Sequence, residues 1–511
     1  MGKLTISVIV SLWVIPISLM VNRIVPHPYM DEIFHIPQAQ EYCKGNFRSW
    51  DPMITTPPGL YYLSLAHVAS LFPGMWCSKA VSLFSEVCSP AILRSVNGVL
   101  AVICSILVYE IITWVKPDSD KRKATLQAVV ISLYPLHWFF AFLYYTDVAS
   151  LTLVLSMYLA CLKRRYQLSA LLGAIAILVR QTNVVWMLFV ACSGIINFTL
   201  LPNYKDKVQP DDQDVSIGDN DGLADNKGTP VKSNLRKRKM DNPSSVVKNP
   251  IPKSVDATSL YTSGLLDEAR VILLRMWNLK VEVLISFGPF LAVFLAFIVF
   301  VFWNGSIVLG AKEAHTASLH FAQIMYFALV SALAMSPFYF SYRQCSMLCK
   351  SLWKNRPLSL FQVVLVSIGG FLSVHYFSIA HPYLLADNRH YTFYIWRRVI
   401  QYHWLMKYLL IPLYVYSWLS IIHDLGKGRQ KIWVLVFLLA CAGVLVPAPL
   451  IEFRYYTIPF YFLILHSQIN DYRSWLLMGV MYAAVNIFTM WMFLFRPFHW
   501  SHEPGTQRFI W

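Results

Sequence analysis

Five side chains able to do chemistry fall close together near the start of the chain. Asp31, Glu32, His35, Glu41 and Asp51 lie in PHPYMDEIFHIPQAQEYCKGNFRSWDPMITTPPGLYY, residues 26–62. Carboxylates beside an imidazole can take a proton from a hydroxyl. The same acids can open a helix, where a carboxylate complements the helix dipole. Five later stretches repeat this mixture. Asp147 ends YYTD, and Arg180 opens RQTN. Lys312, His315 and His320 lie in NGSIVLGAKEAHTASLH, Asp387, Arg389, His390 and Tyr391 in HPYLLADNRHYTFYIWRR, and Glu452, Arg454 and Tyr455 in EFRYY. Plainer readings stand beside these: Asp147 as a helix start, Glu452 with Arg454 as a structural ion pair, and the aromatics of HYTFYIW as an interfacial belt. His315 and His320 are poorly spaced to share an ion on a helix. None of these stretches carries a DxD motif of the kind that holds a metal on a sugar nucleotide, and neither a metal nor a cofactor is expected.

The elements that must position these groups are membrane helices. Of 511 residues, 57% are hydrophobic and 14% charged, against roughly 25% charged in a soluble domain. Apolar runs long enough to cross a bilayer recur throughout, which predicts an all-α polytopic membrane protein. The first span is read over Leu4–Val21, uncleaved, with a cytoplasmic N-terminus. Further spans are expected near 91–114, 124–145, 147–162, 167–180, 184–201, 281–303, 319–341, 359–379, 404–423, 432–449, 456–468 and 474–495, about thirteen in all. A short helix lying in the interface is expected around Ile33, Phe34, Ile36 and Tyr42.

The formal charge of +16 belongs to loops that fix orientation, not to a nucleic-acid partner. Lys116, Lys121, Arg122 and Lys123, then Lys163, Arg164 and Arg165, mark the cytoplasmic side. Three parts follow: an N-terminal transmembrane module, 1–201, with a luminal loop at 22–90; a polar, disordered cytoplasmic loop, 202–280; and a C-terminal transmembrane module, 281–511. Every complex polar segment then falls on the face opposite the simple basic loops. Arg180, Lys312, Arg389, Arg397, Arg398 and Arg454 defy the positive-inside bias there, which calls for an anionic partner. The nine cysteines form no CxxC pair. Cys77 and Cys88 either pair, if their loop faces an oxidising lumen, or remain two free thiols.

PYMDEIFHIPQAQ, SWDPMITTPPGLY, FLYYTD, RQTN, HPYLLADNRHYTFY and LIEFRYYTIP together resemble the dolichyl-phosphate-glucose-dependent alpha-1,2-glucosyltransferases of the endoplasmic reticulum. The resemblance covers nearly the whole chain outside 202–280. It implies a GT-C-like fold in the reticulum membrane with interfacial helices in the first luminal loop and a luminal active site. The implied donor is dolichyl phosphate glucose, and the implied acceptor is a diglucosylated dolichyl-diphosphate oligosaccharide. Transfer would invert the anomeric centre, the last step of precursor assembly for N-glycosylation. Asp31 then takes the place of the catalytic base, with Glu32 as the neighbour that orients the hydroxyl or tunes the base. The donor phosphate is assigned first to Arg389 and His390, then Arg454, then Arg180, because arginine grips phosphate in two places. His35, Asp51, Asp147, Lys312, His315, His320, Asp387, Tyr391, Glu452 and Tyr455 complete the substrate-binding candidates. One departure is Ala311, where some relatives carry an acid after the glycine of VLG. Three rival readings remain: a transporter or channel accessory protein, a non-catalytic scaffold, and a GT-C enzyme using another dolichyl-phosphate sugar.

Overall fold

The computed structural model describes residues 2–73, 87–200, 264–354, 356–501 and 505–511. Almost all of it is helix. The N-terminal helices are α1 (Gly2–Ile24), α2 (Glu32–Cys43), α3 (Gly59–Leu71), α4 (Pro90–Val115), α5 (Lys121–Ser132), α6 (Pro135–Phe140), α7 (Thr146–Leu162), α8 (Tyr166–Val179) and α9 (Asn183–Leu200). After the polar segment come α10 (Leu265–Asn278), α11 (Lys280–Asn304), α12 (Ala322–Ala334), α13 (Tyr342–Lys354), α14 (Arg356–Tyr376), α15 (Ile411–Gly428), α16 (Lys431–Leu445), α17 (Thr457–His466) and α18 (Tyr472–Phe495). A two-stranded hairpin pairs Phe498 with Gln507 and His499 with Thr506.

The protein is an all-α polytopic membrane protein. Among the described residues, seven helical segments are long and apolar enough to cross a membrane: α1, α4, α9, α11, α14, Met406–Gly428 and α18. The shorter apolar helices are α7, α8, α12 and α16. Thirteen full spans are therefore not what the helix lengths give. Prolines account for part of the difference. The stretch 124–145 breaks at Pro135 into α5 and α6, and 319–341 breaks at Pro337 after α12, because proline lacks an N–H and disfavours helix at the residue before it.

Residues 201–263 of the expected cytoplasmic loop lie outside the described residues, as does Cys77. The end of that segment is ordered helix, α10, a correction to its reading as loop as far as 280. Its sequence LLDEARVILLRMWN has an apolar face, Asp267 accepts from the Gly264 N–H (3.0 Å), and Ile272 and Glu268 are buried. The cysteine reading is also corrected: Cys88 is bonded to Cys43, across 45 residues. That bond ties the end of α2 to the approach to α4.

The core runs through the middle of the bundle around α17, all ten of whose residues are buried. α7, α8 and α9 pack against one another, and α7 also packs against α4. Asn183 Nδ2 donates to Ser150 Oγ (2.8 Å) and to the Ala176 carbonyl (2.8 Å), fastening the polar ends of these three helices together. α3 reaches α8 through Gly59, where a Cβ would fall on the Leu178 backbone.

Candidate active site

The site begins at the turn between α1 and α2. Met30 has φ +55°, a left-handed conformation that non-glycine residues rarely adopt. This turn sends two adjacent acids to different destinations.

Glu32 goes inward and is fully buried against Arg94 of α4. Arg94 Nε donates to Glu32 Oε1 (2.8 Å) and Nη2 to Oε2 (2.6 Å). The Tyr29 and Tyr144 N–H groups donate to the remaining positions (3.1 and 2.7 Å). The other Arg94 donors reach Asn22 Oδ1 and the Val25 and His27 carbonyls. A buried pair satisfied on every side is costly to break. Sealed in this way, Glu32 presents no oxygen to a substrate hydroxyl, unlike the orienting neighbour expected from sequence. Arg94 was not singled out in the sequence, although a lone arginine within an apolar span signals a buried partner.

Asp31 goes the other way. It stands at the N-cap position just before α2 but makes no side-chain cap, so helix capping does not account for it. Its Oδ2 accepts from Arg454 Nη1 (2.9 Å), and its N–H donates to the Tyr145 hydroxyl (3.2 Å). The Asp31 side chain is 42% exposed, against 12% for Arg454, so the carboxylate keeps an open edge. Burial acts to raise its pKa, but the Arg454 guanidinium, with His35 and His390, holds it below the ordinary carboxylate value.

Arg454 sits in the turn Phe453–Tyr456 ahead of α17 and gathers three acids. Besides Asp31 it pairs with Glu452 (2.7 Å from Nη2) and approaches Asp147 Oδ2 (3.8 Å). Its guanidinium lies over the rings of Phe140 and Tyr145. Asp147, in the first turn of α7, accepts from Arg180 Nη1 at the end of α8 (2.8 Å). Asp147 Oδ2 is buried and accepts no hydrogen bond from the described residues. The Arg180 guanidinium lies 6.0 Å from the Tyr455 ring centre. His35 Nδ1 is 2.7 Å from the Tyr61 hydroxyl, and burial pushes its pKa down. Asp31, His35, Asp147, Arg180, Glu452, Arg454 and Tyr455 therefore meet at one end of the bundle.

Arg389 and His390 form a neighbouring group. Asp387 grips Arg389 at Nε and Nη2 (2.9 and 2.8 Å), Gln507 accepts from Nη1 (3.0 Å), and the guanidinium lies 4.7 Å from the Trp500 ring centre. Burial raises the Asp387 carboxyl, but its hydrogen bonds from Arg389 outweigh that and leave it lowered. A cleft of about 560 Å³ opens here between Asp387, Arg389, Phe393 and Trp500. The C-terminal tail links the two groups. Tyr391 N–H donates to the Ile510 carbonyl, His390 Nδ1 lies 3.1 Å from the Trp511 carbonyl oxygen, and the Trp511 ring meets those of Tyr391 and Phe453.

The remaining described candidates make contacts of their own. Asp51 Oδ1 accepts from the Met53 N–H (2.8 Å) and makes a turn. Lys312 donates to the Asn304 carbonyl at the end of α11 (2.7 Å). His320 is fully buried and its Nε2 accepts from the Ile379 N–H (3.4 Å). The side chain of His315 lies outside the described residues. Ala311, at φ +45°, sits where Gly310 presses on the Pro52 carbonyl, and its N–H donates to that oxygen (3.0 Å). That segment covers the first loop. Among the described residues, no group of three or more side chains is placed to hold a metal.

The DIE2/ALG10 family matches residues 25–465. A protein of Arabidopsis thaliana named Dol-P-Glc:Glc(2)Man(9)GlcNAc(2)-PP-Dol alpha-1,2-glucosyltransferase is 59% identical over 515 residues, covering 100% of both chains. Proteins of the same name from Rattus norvegicus and Homo sapiens are 34% and 35% identical, each covering 96% of this chain and 94% of their own. No solved structure matches.

Proposed function

This chain belongs to the DIE2/ALG10 family, and from that premise we infer that it transfers glucose from dolichyl phosphate glucose to a diglucosylated dolichyl-diphosphate oligosaccharide. The new bond is the alpha-1,2 linkage for which its relatives are named. The chain is a membrane glucosyltransferase, both of whose substrates carry lipid anchors. The transporter reading is not favoured, since the relatives are named as transferases.

One observation carries our placement of the chemistry: Asp31 stands ionised and half-open against Arg454, inside a ring of groups drawn from four separate loops. In this reading Asp31 takes the proton of the acceptor hydroxyl as that oxygen bonds to the anomeric carbon of the donor glucose. The bond from that carbon to the phosphate oxygen breaks, and its electron pair leaves with dolichyl phosphate. The single displacement inverts the centre. Glu32 is a positioning residue, anchoring the start of α2 to α4. Arg454 is enclosed by carboxylates, which fits a role in holding Asp31 and Glu452 better than one in gripping phosphate. Arg389, held in place by Asp387 and Gln507, and His390 remain our assignment for the departing phosphate. The cleft beside them joins a cation to the aromatic faces of Phe393 and Trp500, a mixture that suits a phosphate on a lipid chain. Asp147 and His35 face the same space and are read as sugar contacts.

We place this site on the luminal side of the endoplasmic reticulum membrane, with the N-terminus and the 202–280 loop cytoplasmic. The Cys43–Cys88 bond supports an oxidising compartment for the first loop. The deciding experiment is transfer by the purified protein in detergent, from a dolichyl-phosphate-glucose analogue to a diglucosylated lipid-linked acceptor. Activity lost in Asp31→Asn supports the reading. Activity only with a mannose donor reassigns the sugar. No transfer by folded wild type with either donor returns the transporter reading.

A further inference from the structure

At the opposite end of the same helices lies a second polar cavity that the transfer reaction does not use. Its volume is about 430 Å³, and Lys116, Arg164 and Arg429 line it with Gln468, Asn197 and Trp114. Lys116 follows the last residue of α4, Arg164 lies between α7 and α8, and Arg429 follows α15. α7 has Asp147 in its first turn and this cavity beyond its last. Its 17 residues separate the two sites by about 25 Å, close to the thickness of a hydrocarbon core.

The cations here are compensated differently from those of the active site. Among the described residues, none of the three is in a salt bridge with a carboxylate, whereas Arg454 and Arg180 both are. Lys116 Nζ donates to the Ser467 carbonyl (2.7 Å), and Arg429 Nε donates to His466 Nδ1 (3.1 Å), both neutral acceptors. The acid whose field reaches Lys116 is Asp424, which is fully buried and occupied by the Gln468 N–H and the Tyr339 hydroxyl. Burial pushes the Lys116 ammonium down to about 8, and Lys123 and Arg429 push the same way. Arg164 is exposed at the rim, set there by a left-handed turn at φ +58°. Trp114, 52% exposed beside it, is the residue type that settles at headgroup depth.

We propose that this cavity binds a phosphate-bearing anion at the membrane face opposite the active site. A cavity lined by three cations, two side-chain amides and an interfacial tryptophan suits a phosphate group. Either the headgroup of an anionic phospholipid or a soluble phosphate could supply it, and the test separates the two. Binding would hold together the ends of α4, α7, α9, α15 and α17.

The test counts lipids retained by the full-length protein in native mass spectrometry after exchange into phosphatidic acid or phosphatidylcholine. In parallel, thermal unfolding in detergent is followed with inorganic phosphate and with glycerol phosphate. Each charge removed is expected to weaken binding about fivefold, the effect of one cation near an anionic surface. Arg164→Gln reads this without disturbing a buried contact, and Lys116→Gln with Arg429→Gln should weaken retention about 25-fold. Arg165→Gln, on the same turn but outside the cavity, should leave affinity unchanged. Retention of phosphatidic acid alone assigns the site to lipid. Stabilisation by soluble phosphate, lost in Arg164→Gln, assigns it to a free anion. Equal affinity in wild type and Arg164→Gln, or no binding of either ligand class by wild type, overturns the proposal.

Discussion

Asp31 and Arg454, 423 residues apart in the chain, meet at 2.9 Å. The acid enters on the first turn after α1, and the arginine on the last turn before the buried helix α17. The guanidinium holds Asp31 below the ordinary carboxylate value, while Glu452 and Asp147 face the same cation.

Asp31→Asn keeps the shape of the side chain and removes the proton acceptor. Transfer should fall by about 10²–10⁴-fold, while the variant still folds and inserts. Steady-state assays of the purified variant check this. Near-wild-type turnover would move the base to Asp147, whose buried Oδ2 accepts no hydrogen bond from the described residues.

Arg454→Gln should alter the pH profile as well as the rate. Arg454 holds Asp31 below the ordinary carboxylate value, so wild-type activity survives acidification until pH falls through that lowered value. Without the guanidinium, burial pushes the carboxyl up, and the acid limb of kcat/KM moves to higher pH by about one to three pH units. The stability that the ion pair contributes has the same sign: present at neutral pH, lost as acid protonates Asp31. An unmoved acid limb would show that another group sets it.

Glu32→Gln leaves the Arg94 guanidinium buried with a neutral partner and should cost about 3–5 kcal/mol. Glu32→Gln combined with Arg94→Met should recover much of that loss. Thermal or denaturant unfolding of the two variants measures the coupling. A double variant no better than the single one would contradict the account of a closed pair.

Cys43→Ser should destabilise the first loop by about 2–5 kcal/mol and shift mobility on a non-reducing gel. Cys77→Ser should do neither, because Cys88 is bonded to Cys43. The opposite pattern would restore the pairing of Cys77 with Cys88.

Arg389→Ala should raise the KM for the dolichyl-phosphate donor by about tenfold or more, the effect of losing a charge-assisted contact of roughly 1.5–3 kcal/mol. The KM for the acceptor should stay within twofold. Chelation by EDTA should leave transfer intact, since the chain supplies its own cations for the leaving phosphate. An unchanged donor KM removes Arg389 from the phosphate site.

The span positions were legible in the sequence because apolar runs are set by the bilayer itself. α4, α7, α8, α9, α11 and α18 fall within a residue or two of their expected ranges. The polar loops that hold the cluster were legible too, since Arg180 and Arg454 stand against the usual charge bias. Pairing was less accessible. Asp31 and Glu32 are adjacent and of one chemical type, and only a left-handed turn at Met30 sends one to solvent and the other to Arg94. Likewise, Cys77 is nearer in sequence to Cys88 than Cys43 is, yet α2 and the approach to α4 lie together in space. Such outcomes are decided by packing between distant segments, which periodicity does not record.

The meeting of Asp31 with Arg454 also orders events during synthesis. Translation delivers the acid among the first residues and its arginine only after most of the helices have been inserted. A nascent chain halted before residue 452 would carry Asp31 without the guanidinium that pairs with it. Such a fragment could hold its place in the bilayer and still be inert toward scarce glycolipid, so that competence arrives late and all at once.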